Sequence, residues 1–262
     1  MVVFVARDKL ETHVLFQPIL DTPVKWTSPP LVLPSGGLLY TMQGSDAPCR
    51  TVLLLKGNAG NADTVYELVS SMLTEARRVG LNVTLRVLEY RGFGAAVGSP
   101  STGGVVQDAR EAWDAMSPEE RSTAVIMGVS LGGGVLGQLL LSSDICPAQA
   151  VFINTFSSLG EAASELTRIS WIGSMITPWN TREGLKAYAA RCPNARILIV
   201  NAKDDGLFSP QHANRLSECV TGHPNVQCIE LPSGGHVGSV MQHFGLWAKH
   251  VIPCSPPSES VV

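Results

Sequence analysis

The sequence predicts a doubly wound α/β fold built on a mostly parallel sheet. Two features carry that expectation. Short β-rich apolar runs alternate with longer segments of helical periodicity, and most runs are continuously apolar rather than alternating. Strands buried on both faces of a parallel sheet read in this way. A third follows from them: residues with chemical potential sit just beyond the runs, at the carboxyl ends of strands, where such sheets bind ligands.

The runs, in order, are "LLYTM" from Leu38, "TVLLLK" from Thr51, "TLRVLE" from Thr84, "AVIMG" from Ala124, "AVFINT" from Ala150, "RILIV" from Arg196 and "VQCIEL" from Val226. Together they predict about 7–8 strands with helices on both faces. Helices are expected in "ADTVYELVSSMLTEARRVG", which ends on a glycine stop, and in "GGVVQDAREAWDAM", "LGGGVLGQLLLSS" and "SPQHANRLSECV". Residues 1–37 carry Pro18, Pro23, Pro29, Pro30 and Pro34, so antiparallel edge strands or extended coil are expected there.

With 45% apolar and 16% charged residues over 262 positions, the chain can bury a core without crosslinks or metals. No linker divides it, so residues 1–254 are expected to form one domain, and residues 255–262, in "PCSPPSESVV", a flexible tail. A net charge of −3 without a basic block argues against nucleic-acid binding. The apolar run in "MVVFVARDKL" is interrupted at Arg7 and is too short to span a bilayer, so a cytoplasmic location is expected. Cys49, Cys146, Cys192, Cys219, Cys228 and Cys254 form no C-x-x-C and no zinc spacing; they read as scattered thiols in a reducing compartment.

Three loops carry the chemistry. "GVSLGG", Gly128 to Gly133, is a G-x-S-x-G pattern between a buried strand and an apolar helix, the setting of a nucleophile elbow, with Ser130 as nucleophile. A tightly packed turn in which Ser130 only caps a helix is the blander alternative. The serine needs a base and the base an orienting acid. "NAKDDGLFSP" after one later strand offers Asp204 and Asp205, and "PSGGHVG" after the next offers His236. Spacing does not choose between the two aspartates. The small-residue loop "KGNAGN", Lys56 to Asn61, leaves backbone N–H groups open to a ligand.

Taken together, "GNAGN", "EYRGFGAAVGSPS", "GVSLGG", "DDGLF" and "SGGH" resemble the α/β-hydrolase superfamily in order and spacing, over roughly Leu38 to Val251. More narrowly the chain is similar to its small, nearly capless serine hydrolases, the α/β-hydrolase-domain proteins. The resemblance implies that Ser130 is the nucleophile, His236 the base and Asp205 the orienting acid. It implies an oxyanion hole made by the backbone N–H groups of Asn58 and Leu131, with no metal and no organic cofactor. The implied activity is hydrolysis of a carboxylic ester or thioester, on a small molecule or an acylated protein, through an acyl-enzyme. A peptidase or amidase of the same fold, or a catalytically silent binding protein, is the alternative.

About forty residues separate "AVFINT" from "RILIV", enough for only a small cap-like insertion over about 158–192. Within it Trp171, Met175 and Trp179 could wall an acyl pocket, although apolar residues at helical spacing more often form a buried helix face. The family usually has His-Gly where this chain has Lys56-Gly57, and aspartate where it has Glu89. Both substitutions fall on strands that this sheet order makes neighbours, which suggests either a Lys56–Glu89 pair behind the loop or a lysine turned to solvent.

Overall fold

The computed structural model describes residues 15–44 and 49–252. Residues 1–14 of the expected edge segment and the expected 255–262 tail lie outside them. Eight strands form one sheet: β1 (Leu31–Val32), β2 (Leu38–Gln43), β3 (Arg50–Leu55), β4 (Val83–Glu89), β5 (Val125–Val129), β6 (Gln149–Ile153), β7 (Arg196–Ala202) and β8 (Val226–Leu231). Their order is β8-β7-β6-β5-β3-β4-β2-β1. The β1–β2 and β2–β4 pairings are antiparallel and all others parallel. The seven apolar runs each supply a strand, and the short β1 is the antiparallel edge.

The helices are α1 (Tyr66–Arg78), α2 (Thr102–Asp114), α3 (Pro118–Thr123), α4 (Leu131–Leu139), α5 (Leu159–Thr167), α6 (Thr181–Arg191), α7 (Pro210–Glu218), α8 (Gly235–Gln242) and α9 (Phe244–Trp247). They cover both faces, because successive strand residues face opposite ways. Leu53 and Leu55 of β3 join the core beneath α2, α4 and α6, whereas Val52 and Leu54 join the core beneath α1 and the C-terminal helices. Each strand therefore feeds two cores, which is why the central runs have no polar alternation.

Two close approaches shape the site end of the sheet. A Cβ at Gly132 would lie 1.9 Å from the Leu55 carbonyl oxygen, and one at Gly128 would lie 2.4 Å from the Gly132 carbonyl oxygen. The start of α4 can thus rest on the ends of β3 and β5 only because both positions lack a side chain. Likewise a Cβ at Gly184 of α6 would fall 1.7 Å from the Gly137 carbonyl oxygen of α4. That contact packs α6 onto the main body of the fold.

The cysteines correct the expectation of scattered reduced thiols. Cys146 and Cys192 form a disulfide across 46 residues, and Cys49 is also disulfide-bonded, while Cys219 and Cys228 are free thiols. The physical reason lies in the helix packing: Cys146 follows α4 and Cys192 caps α6, so the α4–α6 contact brings together residues whose spacing suggests nothing. Disulfides of this kind persist in oxidising surroundings. Among the described residues no helix is long and apolar enough to cross a membrane.

Candidate active site

The serine loop is built by its neighbours. Ser130 has φ 54° and ψ −120°, a conformation that costs a β-carbon-bearing residue energy and persists only when its surroundings fix it. Here its N–H donates to the Ile153 carbonyl at 2.9 Å, and its own carbonyl accepts from Thr155 Oγ1 at 2.6 Å. The side chain is thereby thrown to the carboxyl end of the sheet, with 7% of the residue exposed.

His236 lies between Ser130 and Asp205. Its Nε2 is 2.8 Å from Ser130 Oγ, and its Nδ1 is 2.8 Å from Asp205 Oδ2. The other Asp205 oxygen accepts the N–H groups of Leu207 and Phe208 at 2.8 and 3.0 Å. Burial pushes the Asp205 carboxyl up, but the His236 hydrogen bond and the two backbone donors outweigh it and hold the carboxyl below its ordinary range. Phe208 packs edge-on against the imidazole, with ring centroids 5.1 Å apart.

Both aspartates are used, for different ends. Asp204 accepts from the Gly234 and Gly235 N–H groups at 3.1 and 2.9 Å, holding the turn that precedes His236. Asp205 alone reaches the ring.

Asn154, which the sequence did not single out, joins three elements. It sits just after β6 at φ 44°, a left-handed conformation that asparagine tolerates better than most residues. Its Nδ2 donates to the His236 carbonyl at 2.7 Å and to Ser239 Oγ at 2.9 Å, and its Oδ1 accepts from Ala202 N–H at 2.9 Å. A buried asparagine directly after a strand in the "INT" stretch was the available signal.

Opposite the histidine runs the Lys56–Asn61 loop. A Cβ on Gly57 would lie 3.5 Å from Ser130 Cβ and 4.0 Å from its Oγ, so the loop stands directly against the serine. Among the described residues no backbone hydrogen bond donated by the Asn58 or Leu131 N–H is found. A two-residue pairing, Gln17–Pro18 with Ala59–Gly60, straps the loop from outside, with Gln17 N–H donating to the Asn58 carbonyl at 2.8 Å.

Lys56 does not turn to solvent. Its Nζ is 3.3 Å from Glu89 Oε1, and both side chains are 0% exposed. Leu55 and Leu88 are register partners on adjacent parallel strands, which puts the two following residues side by side.

The three apolar residues considered for an acyl wall differ in burial. Trp179 is 4% exposed and belongs to the core beside Gly134 and Phe156. Trp171 and Met175 are 61% and 52% exposed, at the start and end of a short 3-10 segment, Ile172–Met175, that Trp171 caps. The segment lacks the length to present a buried helical face, so the expected buried face fails for Trp171 and Met175. Among the described residues no group of histidine, cysteine and carboxylate side chains is arranged to hold a metal ion.

The sheet order and the strained serine at the β5–α4 turn define the α/β-hydrolase architecture. No protein-family model matches the chain. It is similar to the α/β-hydrolase domain-containing protein WAV2 of Arabidopsis thaliana, 30% identical over 210 residues, covering 72% of this chain and 65% of the relative. The uncharacterized protein YfhR of Escherichia coli K12 is 26% identical over 205 residues, covering 77% of this chain and 68% of the relative. The chain thus spans about two-thirds of the length of these relatives. Among solved structures, an α/β-hydrolase of Vibrio vulnificus superposes with a TM-score of 0.66 at 19% identity, over 83% of this chain and 77% of that one. The Pyrococcus furiosus esterase Pf2001 superposes with a TM-score of 0.67 at 16% identity, over 90% of this chain and 96% of that one. The chain belongs to the α/β-hydrolase superfamily.

Proposed function

We propose that the protein is a serine hydrolase that cleaves a carboxylic ester or thioester through an acyl-enzyme. The observation that carries this reading is the unbroken line Asp205–His236–Ser130, 2.8 Å at each step, ending on a serine in a strained turn. An ionised Asp205 accepts from Nδ1–H, which leaves Nε2 as the acceptor facing the serine hydroxyl. Ser130 Oγ then attacks the carbonyl carbon while Nε2 takes its proton. The N–H groups of Asn58 and Leu131 receive the developing oxyanion. As the carbonyl reforms, the imidazolium returns its proton to the departing alcohol or thiol. Water repeats the sequence on the acyl-serine, releasing the acid and the free serine.

Hydrolysis of p-nitrophenyl esters of increasing chain length, beside acyl thioesters and peptide anilides, tests the reading. The expected result is ester and thioester turnover that Ser130→Ala abolishes. Turnover of anilides with no ester cleavage would sink the esterase assignment.

A further inference from the structure

Beneath the loop that faces Ser130 lies a charged pair that the acyl-transfer chemistry does not itself consume. Lys56 Nζ contacts Glu89 Oε1 at 3.3 Å, and it donates to the Gly60 carbonyl at 3.3 Å. Glu89 Oε2 accepts the Ala62 N–H at 2.6 Å. The pair therefore grips the far end of the loop at two successive places, Gly60 and Ala62. Tyr90 OH donates to the Lys56 carbonyl at 3.1 Å and fixes the near end. Lys56 Nζ also lies 3.8 Å from the centroid of the Phe93 ring, a cation–π contact that accommodates a buried ammonium. Gly94, at φ 52°, makes room for the carboxylate, because a Cβ there would lie 2.6 Å from Glu89 Oε2.

Two buried charges are a costly way to fill a core, and an apolar pair of similar volume serves stability as well or better. What the charges supply here is direction, one donor and one acceptor aimed at backbone groups of a single short loop. We propose that the Lys56–Glu89 pair is the positioning device of the oxyanion loop, holding the Asn58 N–H opposite Ser130. This rests on the acyl-transfer reading of Ser130. Neither residue touches the reacting atoms, so both act as positioning residues.

The charge state of Lys56 supplies an independent readout. Burial lowers its pKa to about 8, against the opposing pull of Glu89. Burial likewise raises the Glu89 carboxyl, with Lys56 and the Ala62 N–H opposing. The other ionisable groups around the pair are Tyr90, whose hydroxyl is pushed well up by burial, Tyr40 of β2, pushed up to about 12, and Asp63, which accepts from the Val24 and Lys25 N–H groups. Between about 8 and the ordinary lysine value of 10.5 the unfolded chain binds more protons at this position than the folded one. Stability from Lys56 therefore does not fall as pH rises through that window, whereas the charged grip on Gly60 is lost.

The test measures kcat, KM and Tm for p-nitrophenyl butyrate hydrolysis across pH in the wild type, Lys56→Met/Glu89→Leu and Lys56→His/Glu89→Asp, with fluorophosphonate labelling of Ser130 alongside. In the folded Met/Leu variant kcat is expected to fall about 10–100-fold with KM within about twofold, the signature of a lost transition-state interaction. The wild type is expected to lose kcat near about pH 8 without a fall in Tm. The His/Asp variant is expected to recover kcat to within about fivefold and to lack that alkaline limb. A folded Met/Leu variant with wild-type kcat would overturn the inference. If that variant does not fold, an unchanged alkaline limb in the His/Asp variant overturns it instead. Wild-type protein that neither labels nor hydrolyses overturns the acyl-transfer reading, and the inference with it.

Discussion

The two walls that meet at Ser130 are constructed on opposite principles. On the β7–β8 side the working group reaches the surface: the His236 side chain is 16% exposed, and it is held by the buried Asp205 side chain, which in turn accepts from loop backbone N–H groups. On the β3–β4 side the polar groups are sealed, with Lys56 and Glu89 at 0% exposure beneath a loop whose Gly57 stands against the serine. The difference follows from what each wall must do. A histidine that shuttles a proton has to move between partners and meet substrate. A loop that offers fixed dipoles has to resist moving, and buried charge with aimed hydrogen bonds resists more strongly than solvated charge.

The largest expected effect lies on the exposed wall. Ser130→Ala should reduce ester hydrolysis by roughly 10⁴–10⁶-fold in steady-state assays, with Tm little changed, because alanine keeps the β-carbon that the strained turn must hold. Next, Asp205→Asn should cost about 10³–10⁴ in kcat by favouring the wrong imidazole tautomer. Asp204→Asn, which touches only the Gly234–Gly235 backbone, should cost about tenfold or less. Equal losses in the two would erase the distinction drawn between the neighbouring carboxylates.

On the sealed wall the single variants read out as stability. Lys56→Met leaves Glu89 charged and buried, and denaturant unfolding should show a loss of about 3–5 kcal/mol. A loss below about 1 kcal/mol would mean that the pair is solvated in solution, as surface pairs are. Asn154→Ala tests the join behind the histidine. Removing its bonds to the His236 carbonyl, Ser239 and Ala202 should destabilise by about 1–3 kcal/mol and lower kcat several-fold.

The smallest effect is the pH dependence of Asp205. Its carboxyl is held below the ordinary range, so its contribution to stability is complete above that range and is lost as pH falls through the lowered value. Asp205→Asn should accordingly flatten the acid limb of the stability curve, and an unchanged limb would assign that limb to other carboxylates.

Much of this was legible in the sequence. Continuous apolar runs marked the strands, because strands feeding two cores have no polar face to blur the signal. The same runs placed Ser130, the Asp204–Asp205 pair and His236 at strand ends, the family resemblance preferred Asp205, and the structure brings Ser130, Asp205 and His236 together. The Lys56–Glu89 contact was legible as one of two readings: adjacent strands place the residues after Leu55 and Leu88 side by side, but the sequence left a solvent-turned lysine equally open. What escaped depends on contacts between distant segments. The Cys146–Cys192 disulfide exists because α4 and α6 meet through Gly137 and Gly184. Asn154 matters through one left-handed backbone conformation, which leaves no periodic trace. The segment holding Trp171 and Met175 has helical spacing but folds as one short 3-10 turn, so periodicity misjudged where its apolar side chains would go.

Under the proposed function Ser130 is an activated nucleophile facing the Lys56–Asn61 loop. Intact-protein mass spectrometry after treatment with a fluorophosphonate tests it most directly. One adduct per chain is expected, mapped to the Ser130 peptide, formed by the wild type and absent from Ser130→Ala. No adduct on folded wild-type protein, or an adduct that survives the substitution, would contradict it.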